Sequence, residues 1–262
     1  MKTQYLPGLV LFLMALNLQA AVVTEQVSYR EGDTVMKGLI AYDDSVIGKR
    51  PGVLVVHEWW GHNDYARKRA AMLAEMGYTA LAVDMYGEGK TASHPEDAGK
   101  FSGAVMSNMP VAKARFESAM TTLKHHATVD GDKIAAIGYC FGGGVVLAMA
   151  RMGVDLKGVA SFHGSVGTKS PVQKGQVKAK VRVFNGADDP FVPAEQIAAF
   201  KQEMDTAGVD YKFVNYPGVK HSFTNPGADE FGKKFNLPLA YDADADKASW
   251  AETKLFFEEI FR

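Results

Sequence analysis

Two hydrophobic periods alternate along the chain. "EQVSYR" and "TVMKGLIAY" read as an opening pair of strands. "GVLVVHE" is a nearly continuous apolar run, as expected of a strand buried on both faces. "DYARKRAAMLAEMG" then shows helical spacing and stops at Gly77, and "YTALAVD" (78–84) is a second buried strand. A loop, "MYGEGKTASHPED", leads into helical sequence through about Ala127. "KIAAIGY" is a strand, "FGGGVVLAMARMG" a helix, and "LKGVASFHG" and "KVRVFNG" are two further strands. "PAEQIAAFKQEMDTAG" is a helix with Pro193 near its start, "DYKFVNYPG" the last strand, and "DADADKASWAETKLFFEEIF" a closing amphipathic helix. Strands alternating with helices of this length predict an α/β fold: a mostly parallel central sheet with helices on both faces. In such sheets ligands bind beyond the carboxyl ends of the strands, so chemistry is sought just after each apolar run.

The first residues do not fit this alternation. Lys2 precedes an apolar stretch, "LPGLVLFLMALNLQA", that ends in the small residues "QAAVV". This reads as a secretory signal peptide over residues 1–20, cleaved near Ala20 or Ala21, with a retained membrane anchor as the alternative. The run is short for a membrane span, and no cysteine near the cleavage point would carry a lipid. The expectation is an exported protein, periplasmic or secreted, with residues 21–262 forming one domain. No repeat, low-complexity tract or linker divides that segment. The chain of 262 residues is 47% hydrophobic and has a formal net charge of −1, enough to fill a core and with no electrostatic case for nucleic acid. A monomer or a homodimer fits equally.

Composition adds one chemical question. The chain has a single cysteine, Cys140, in "AAIGYCFGGGVVLAMA". In an oxidising compartment a lone cysteine is buried, bonded to another molecule, or kept for reactivity. It falls between a strand and a helix, in Gly138-Tyr139-Cys140-Phe141-Gly142. That matches the G-x-S-x-G nucleophile elbow with cysteine in place of serine. Such a turn sets the side chain at a helix N-terminus, where the dipole favours a thiolate, and aims the Phe141 amide at the same spot. A nucleophile also needs a base and an orienting acid. Downstream, "VRVFNGADDPFVP" puts Asp188 and Asp189 after a strand, and "FVNYPGVKHSF" puts His221 after the last one, in the order nucleophile, acid, histidine. Asp-Pro is also a turn signal, so one aspartate of the pair is expected to serve only the turn.

These residues resemble the dienelactone hydrolase (carboxymethylenebutenolidase) family of α/β-hydrolases. The likeness lies in "GYCFGG", "GADDPFVPA", "GVKHSF" and "VLVVHEWWGHNDYARKRAAMLAEMGYTALAVDMYG", and extends from about residue 25 to the end. The resemblance implies a cysteine hydrolase of small esters or lactones with no cofactor. It implies Cys140 as nucleophile, His221 as base, Asp189 as acid, Glu58 in contact with the resting thiol, and the Trp59 amide as second oxyanion donor. Asn63 and Arg67 fit a structural helix start. One departure stands out: the family's substrate-carboxylate arginine four residues after the histidine is here Asn225, and "ASHPEDAGK" offers only Lys100. The expectation for substrate is therefore open between dienelactone held by a different anion clamp and a broader range of esters or lactones.

The remaining signals are weaker. "HEWWGH" is no zinc motif, because His57 and His62 are five apart rather than four, on a strand end and a loop. His125 and His126 read as a solvated pair on a helix end. Trp59, Trp60, Tyr86, His163 and Phe223 follow strands and are candidates for the pocket wall, with packing as the alternative. Asp84 reads as a structural turn residue. Two other functions stay open: a general carboxylesterase, and an exported hydrolase-fold protein that binds without turnover.

Overall fold

The computed structural model of the protein describes residues 22–262; the expected signal peptide lies outside the described residues. An antiparallel hairpin, β1 (Val22–Glu31) and β2 (Thr34–Asp43), opens the sheet. There follow β3 (Arg50–Val56), α1 (Asp64–Glu75), β4 (Thr79–Val83), α2 (Pro95–Met106), α3 (Met109–Lys124) and β5 (Val129–Tyr139). Next come α4 (Phe141–Arg151), β6 (Gly158–Phe162), β7 (Lys180–Gly186), α5 (Ala194–Ala207) and β8 (Tyr211–Tyr216). The chain closes with α6 (Ala228–Phe235) and α7 (Ala243–Ile260). The eight strands form one sheet in the order β1-β2-β4-β3-β5-β6-β7-β8. β2 meets β4 antiparallel, and from β4 to β8 every pairing is parallel.

The pleat explains the continuous apolar runs. In β3, Leu54 and Val56 pack with residues of α2, α3, α4 and α5, whereas Val53 and Val55 pack with residues of α1 and α7. Each central strand is thus covered on both faces, which is why alternation with polar residues is absent. Full burial of a Val, Leu or Phe side chain contributes about 1.5–3 kcal/mol.

Three features depart from the sequence reading. The single helical stretch expected before Ala127 is two helices, broken at Ser107-Asn108. The Asn108 side chain caps α3 by accepting the Val111 amide, and Pro110 stands in its first turn. A short helix, α6, which the sequence reading does not assign, lies between the last strand and the closing helix; it places Phe231 and Phe235 against Trp60. His126 is not solvated: its Nε2 lies 2.6 Å from Glu25 of β1, and its ring packs on Tyr42. Asp84 does close a turn: its buried carboxylate accepts the amides of Lys37, Tyr86, Gly87 and Gly89.

Candidate active site

Cys140 sits between β5 and α4 with φ 53° and ψ −114°. This left-handed conformation is costly for a residue with a Cβ and persists only where its surroundings hold it. The flanking glycines leave the space. A Cβ on Gly138 would lie 2.1 Å from the Gly142 carbonyl oxygen, and one on Gly142 would lie 2.2 Å from that of Val56. The Cys140 amide donates to the Phe162 carbonyl (3.0 Å) and to Nδ1 of His163 (3.1 Å). The thiol stands over the N-terminus of α4, where the dipole favours a negative charge.

β7 and β8 deliver the other two groups. Asp189 follows β7 and is buried, while Asp188 is exposed. One Asp189 oxygen accepts the Phe191 amide at 2.8 Å, and the other lies 2.7 Å from Nδ1 of His221, in the loop after β8. The turn and the contact with histidine therefore fall to the same aspartate. Burial opposes a charge on His221, but the Cys140 sulfur and the Asp189 carboxylate outweigh it, and the imidazole is pushed up to about 10. A thiol beside an imidazole that a carboxylate orients is the arrangement that activates a nucleophile. The amides of Trp59 and Phe141 have no acceptor among the described residues and stand at the same end of the sheet.

Cys140 and His221 open into a cavity of about 370 Å³. Its walls are Gly99, Ser102, Gly103 and Met106 of α2, Trp59 and Phe141, Phe191 and Val192 after β7, and Leu237 and Leu239 after α6. No lysine, arginine, aspartate or glutamate lines it among the described residues. Lys100 lies on the exposed side of α2, paired with Glu96 at 2.8 Å. The α2 contribution lies within the single helical stretch expected from the sequence, and α6 has no counterpart in that reading. Trp59, Phe141 and Phe191 are wall residues that stand at or beside positions singled out in the sequence.

Several expected positions are corrected. Trp60, Tyr86, His163 and Phe223 do not line the cavity. Trp60 is buried in an aromatic stack with Phe231 and Phe235. Tyr86 donates its hydroxyl to the Trp59 carbonyl, so it fixes a wall residue from behind. Phe223 and His163 are fully buried and meet edge to face. Among the described residues, Glu58 makes no hydrogen bond to the Cys140 thiol. Its oxygens accept Ser222 Oγ (3.0 Å) and Asn225 Nδ2 (2.6 Å), both from the loop after His221. Burial pushes the Glu58 carboxyl up, and these two neutral donors only partly offset it. His57 is likewise committed: Nδ1 lies 2.6 Å from the Glu58 carbonyl and Nε2 accepts the Met85 amide, while burial pushes its pKa down to about 4.

The family model described as the dienelactone hydrolase family matches residues 36–261. A protein of Aquifex pyrophilus, Protein usf, is 28% identical over 213 residues, which are 80% of this chain and 88% of that one. Two solved structures superpose closely. One, named m3DLH, is 36% identical with a TM-score of 0.87, covering 92% of this chain and 100% of that one. The other, a dienelactone hydrolase-like promiscuous phosphotriesterase from metagenomic libraries, is 34% identical with a TM-score of 0.84 at the same coverage.

Proposed function

The chain belongs to the dienelactone hydrolase family, hydrolases of ester and lactone bonds, and on that footing we propose that it cleaves uncharged esters or lactones through a Cys140-His221-Asp189 triad. In this reading the Cys140 thiolate attacks the carbonyl carbon, and the Trp59 and Phe141 amides hold the oxygen that becomes negative. One such donor is worth about 10²–10³ in rate elsewhere. His221 gives its proton to the departing alkoxide, leaving a thioester. It then takes a proton from water, which attacks the thioester and releases the acid and the thiolate. Asp189 holds the imidazole in the tautomer that this needs.

The observation that carries the uncharged substrate is the cavity wall. Around Cys140 and His221 it presents apolar side chains and no cation to pair with a carboxylate. A panel of p-nitrophenyl esters and lactones tests the reading. Neutral members should turn over faster than carboxylate-bearing ones. Cys140→Ala and His221→Ala should lose nearly all activity, and Asp189→Asn should lose far more than Asp188→Asn. Full activity in Cys140→Ala, or a preference for the anionic members, would overturn it.

Neutral phosphotriesters are a second candidate class. The likeness to the promiscuous phosphotriesterase supports it, as does a cavity wall with no lysine or arginine among the described residues. Diethyl p-nitrophenyl phosphate in the same panel decides it, with release of nitrophenol lost in Cys140→Ala as the expected result.

The mature, exported form remains part of the proposal. Among the described residues no helix is long and apolar enough to cross a membrane. Expression of the full chain, followed by fractionation and N-terminal sequencing, should find a product that starts near Ala21 or Val22 outside the cytoplasm.

A further inference from the structure

We propose that His163, held as the neutral tautomer with its proton on Nε2, is a positioning residue that fixes the Cys140 elbow and presents an uncharged ring edge to His221. The assignment rests on the reading of Cys140 as nucleophile. It starts from donor and acceptor counting. The Cys140 backbone N–H can only donate, so Nδ1 of His163, 3.1 Å away, must be an unprotonated acceptor. The ring proton therefore sits on Nε2, which donates to Thr224 Oγ1 at 2.7 Å. Thr224 is itself held: its hydroxyl lies 2.6 Å from Tyr65 Oη, and its carbonyl accepts the Arg69 guanidinium at 2.6 Å. Arg69 is anchored in turn by Asp246 of α7. A chain of contacts thus runs from α7 through α1 and the His221 loop to the backbone of the nucleophile.

The geometry at both ends gives His163 its role. Cys140 (φ 53°) and His163 (φ 40°) are both in the left-handed region, one at the end of each of two neighbouring strands. Each conformation needs outside support, and the Cys140 amide has two holders, Phe162 O and His163 Nδ1. With His163 removed, one holder remains and the elbow is free to relax. A shift of about 1 Å at a reacting atom can cost on the order of 100-fold in rate. On its other side the His163 ring meets His221 edge to face, with centroids 5.1 Å apart. A proton on Nδ1 of His163 would confront the Cys140 N–H and set a second positive charge beside His221. Burial, the His221 charge and Arg69 all hold His163 well below its usual range, in keeping with the tautomer that the hydrogen bonds require.

The test uses the full chain and the fact that Cys140 is its only cysteine, so alkylation by iodoacetamide reads one thiol. In His163→Phe, which keeps a ring against His221 but offers no acceptor, the pH profile of alkylation should shift by at least half a unit. Ester kcat should fall tenfold or more, with KM within about twofold. His163→Asn, whose carboxamide oxygen can accept an amide proton, should recover part of both. Thr224→Val removes the partner of Nε2 without touching the elbow, and should move both readouts in the same direction by less. It decides the matter if His163→Phe does not fold. Parent-like alkylation profiles and kcat in His163→Phe, or in Thr224→Val if it alone folds, overturn the assignment. The alkylation profile stands whether or not esters are substrates, so a failure of the ester panel is separable from a failure of this proposal.

Discussion

Gly99 and Gly103 lie one turn apart on α2 and face the mouth of the cavity. A Cβ added at either would meet nothing within 4 Å. Glycine in a helix interior costs about 0.8–1 kcal/mol relative to alanine, so these two positions forgo roughly 1.5–2 kcal/mol of stability. Neither has the positive φ that would require glycine. The compensation is space beside the thiol. The double variant Gly99→Ala/Gly103→Ala should therefore be more stable and less tolerant of large substrates. At about 2–4 °C per kcal/mol for a chain of this size, the melting temperature should rise by roughly 3–8 °C. In an apolar pocket a misfit of one methylene is worth about 1–3 kcal/mol. Esters long enough to reach α2 should then lose about tenfold or more in kcat/KM, while p-nitrophenyl acetate keeps its rate within twofold. Two series of esters, one lengthened in the acyl half and one in the alcohol half, should be run beside calorimetry, because either half could reach α2. A variant that melts lower than the parent would refute the helix reasoning. A variant that treats both series as the parent does would refute the role of the glycines in the cavity.

Other perturbations follow from the same coordinates. The Cys140 sulfur is the largest of the influences that raise His221, so in Cys140→Ala the His221 imidazole, followed by NMR, should titrate well below 10. If it stays there, Asp189 alone holds the proton. The parent's His221 is raised above its unfolded value. Its contribution to stability is therefore complete below about pH 6.5 and lost as pH climbs through about 10, which a series of melts against pH should show. His57, depressed to about 4 by burial, has the opposite sign. The unfolded chain binds the extra proton first, so stability should decline as pH falls from 6.5 through 4. Arg69→Met strands Asp246 and removes the donors to Thr224 and Tyr65. Breaking a buried pair costs about 3 kcal/mol or more, and denaturant midpoints should fall accordingly, with kcat falling further than stability explains.

The elements easiest to see in the sequence were those whose burial is symmetric. β3, β4 and β5 are apolar on consecutive residues because helices cover both faces, and such runs admit few other readings. The turn residues after them were legible for a steric reason: a glycine on each side of Cys140 is the clearance for a backbone that otherwise collides within 2.2 Å. Among the expected wall residues Trp59 lines the cavity and four others do not, because position after a strand does not say which way a side chain turns. His163 directly follows a strand as Cys140 does, and Phe223 lies in the loop after β8, yet both are fully buried and meet each other edge to face. Trp60 turns away to meet α6, a helix too short to announce itself by period. Glu58 bonds Ser222 and Asn225 rather than the thiol that the resemblance implies, and these partners come from a loop more than 160 residues away, which no local pattern reveals.

Asn225 connects the two chemical departures of this site. It stands at the position where the family resemblance implies an arginine, and it gives Glu58 a neutral amide donor. Burial raises the Glu58 carboxyl, and the Asn225 and Ser222 donors, with the charges of His221 and Arg69, offset it only in part. With an amide at 225 rather than a cation, that position offers no positive charge to a substrate carboxylate or to Glu58. What remains beside the cavity is the Cys140-His221 pair, balanced internally, and Asp189 behind it. Under the proposed assignment an uncharged ester enters such a site without finding an unmatched charge. The acid formed on hydrolysis is anionic and meets an apolar wall with no cation to retain it. A neutral side chain at 225 goes with the proposed uncharged substrate class, and Asn225→Arg should slow product release while it improves binding of carboxylate-bearing esters.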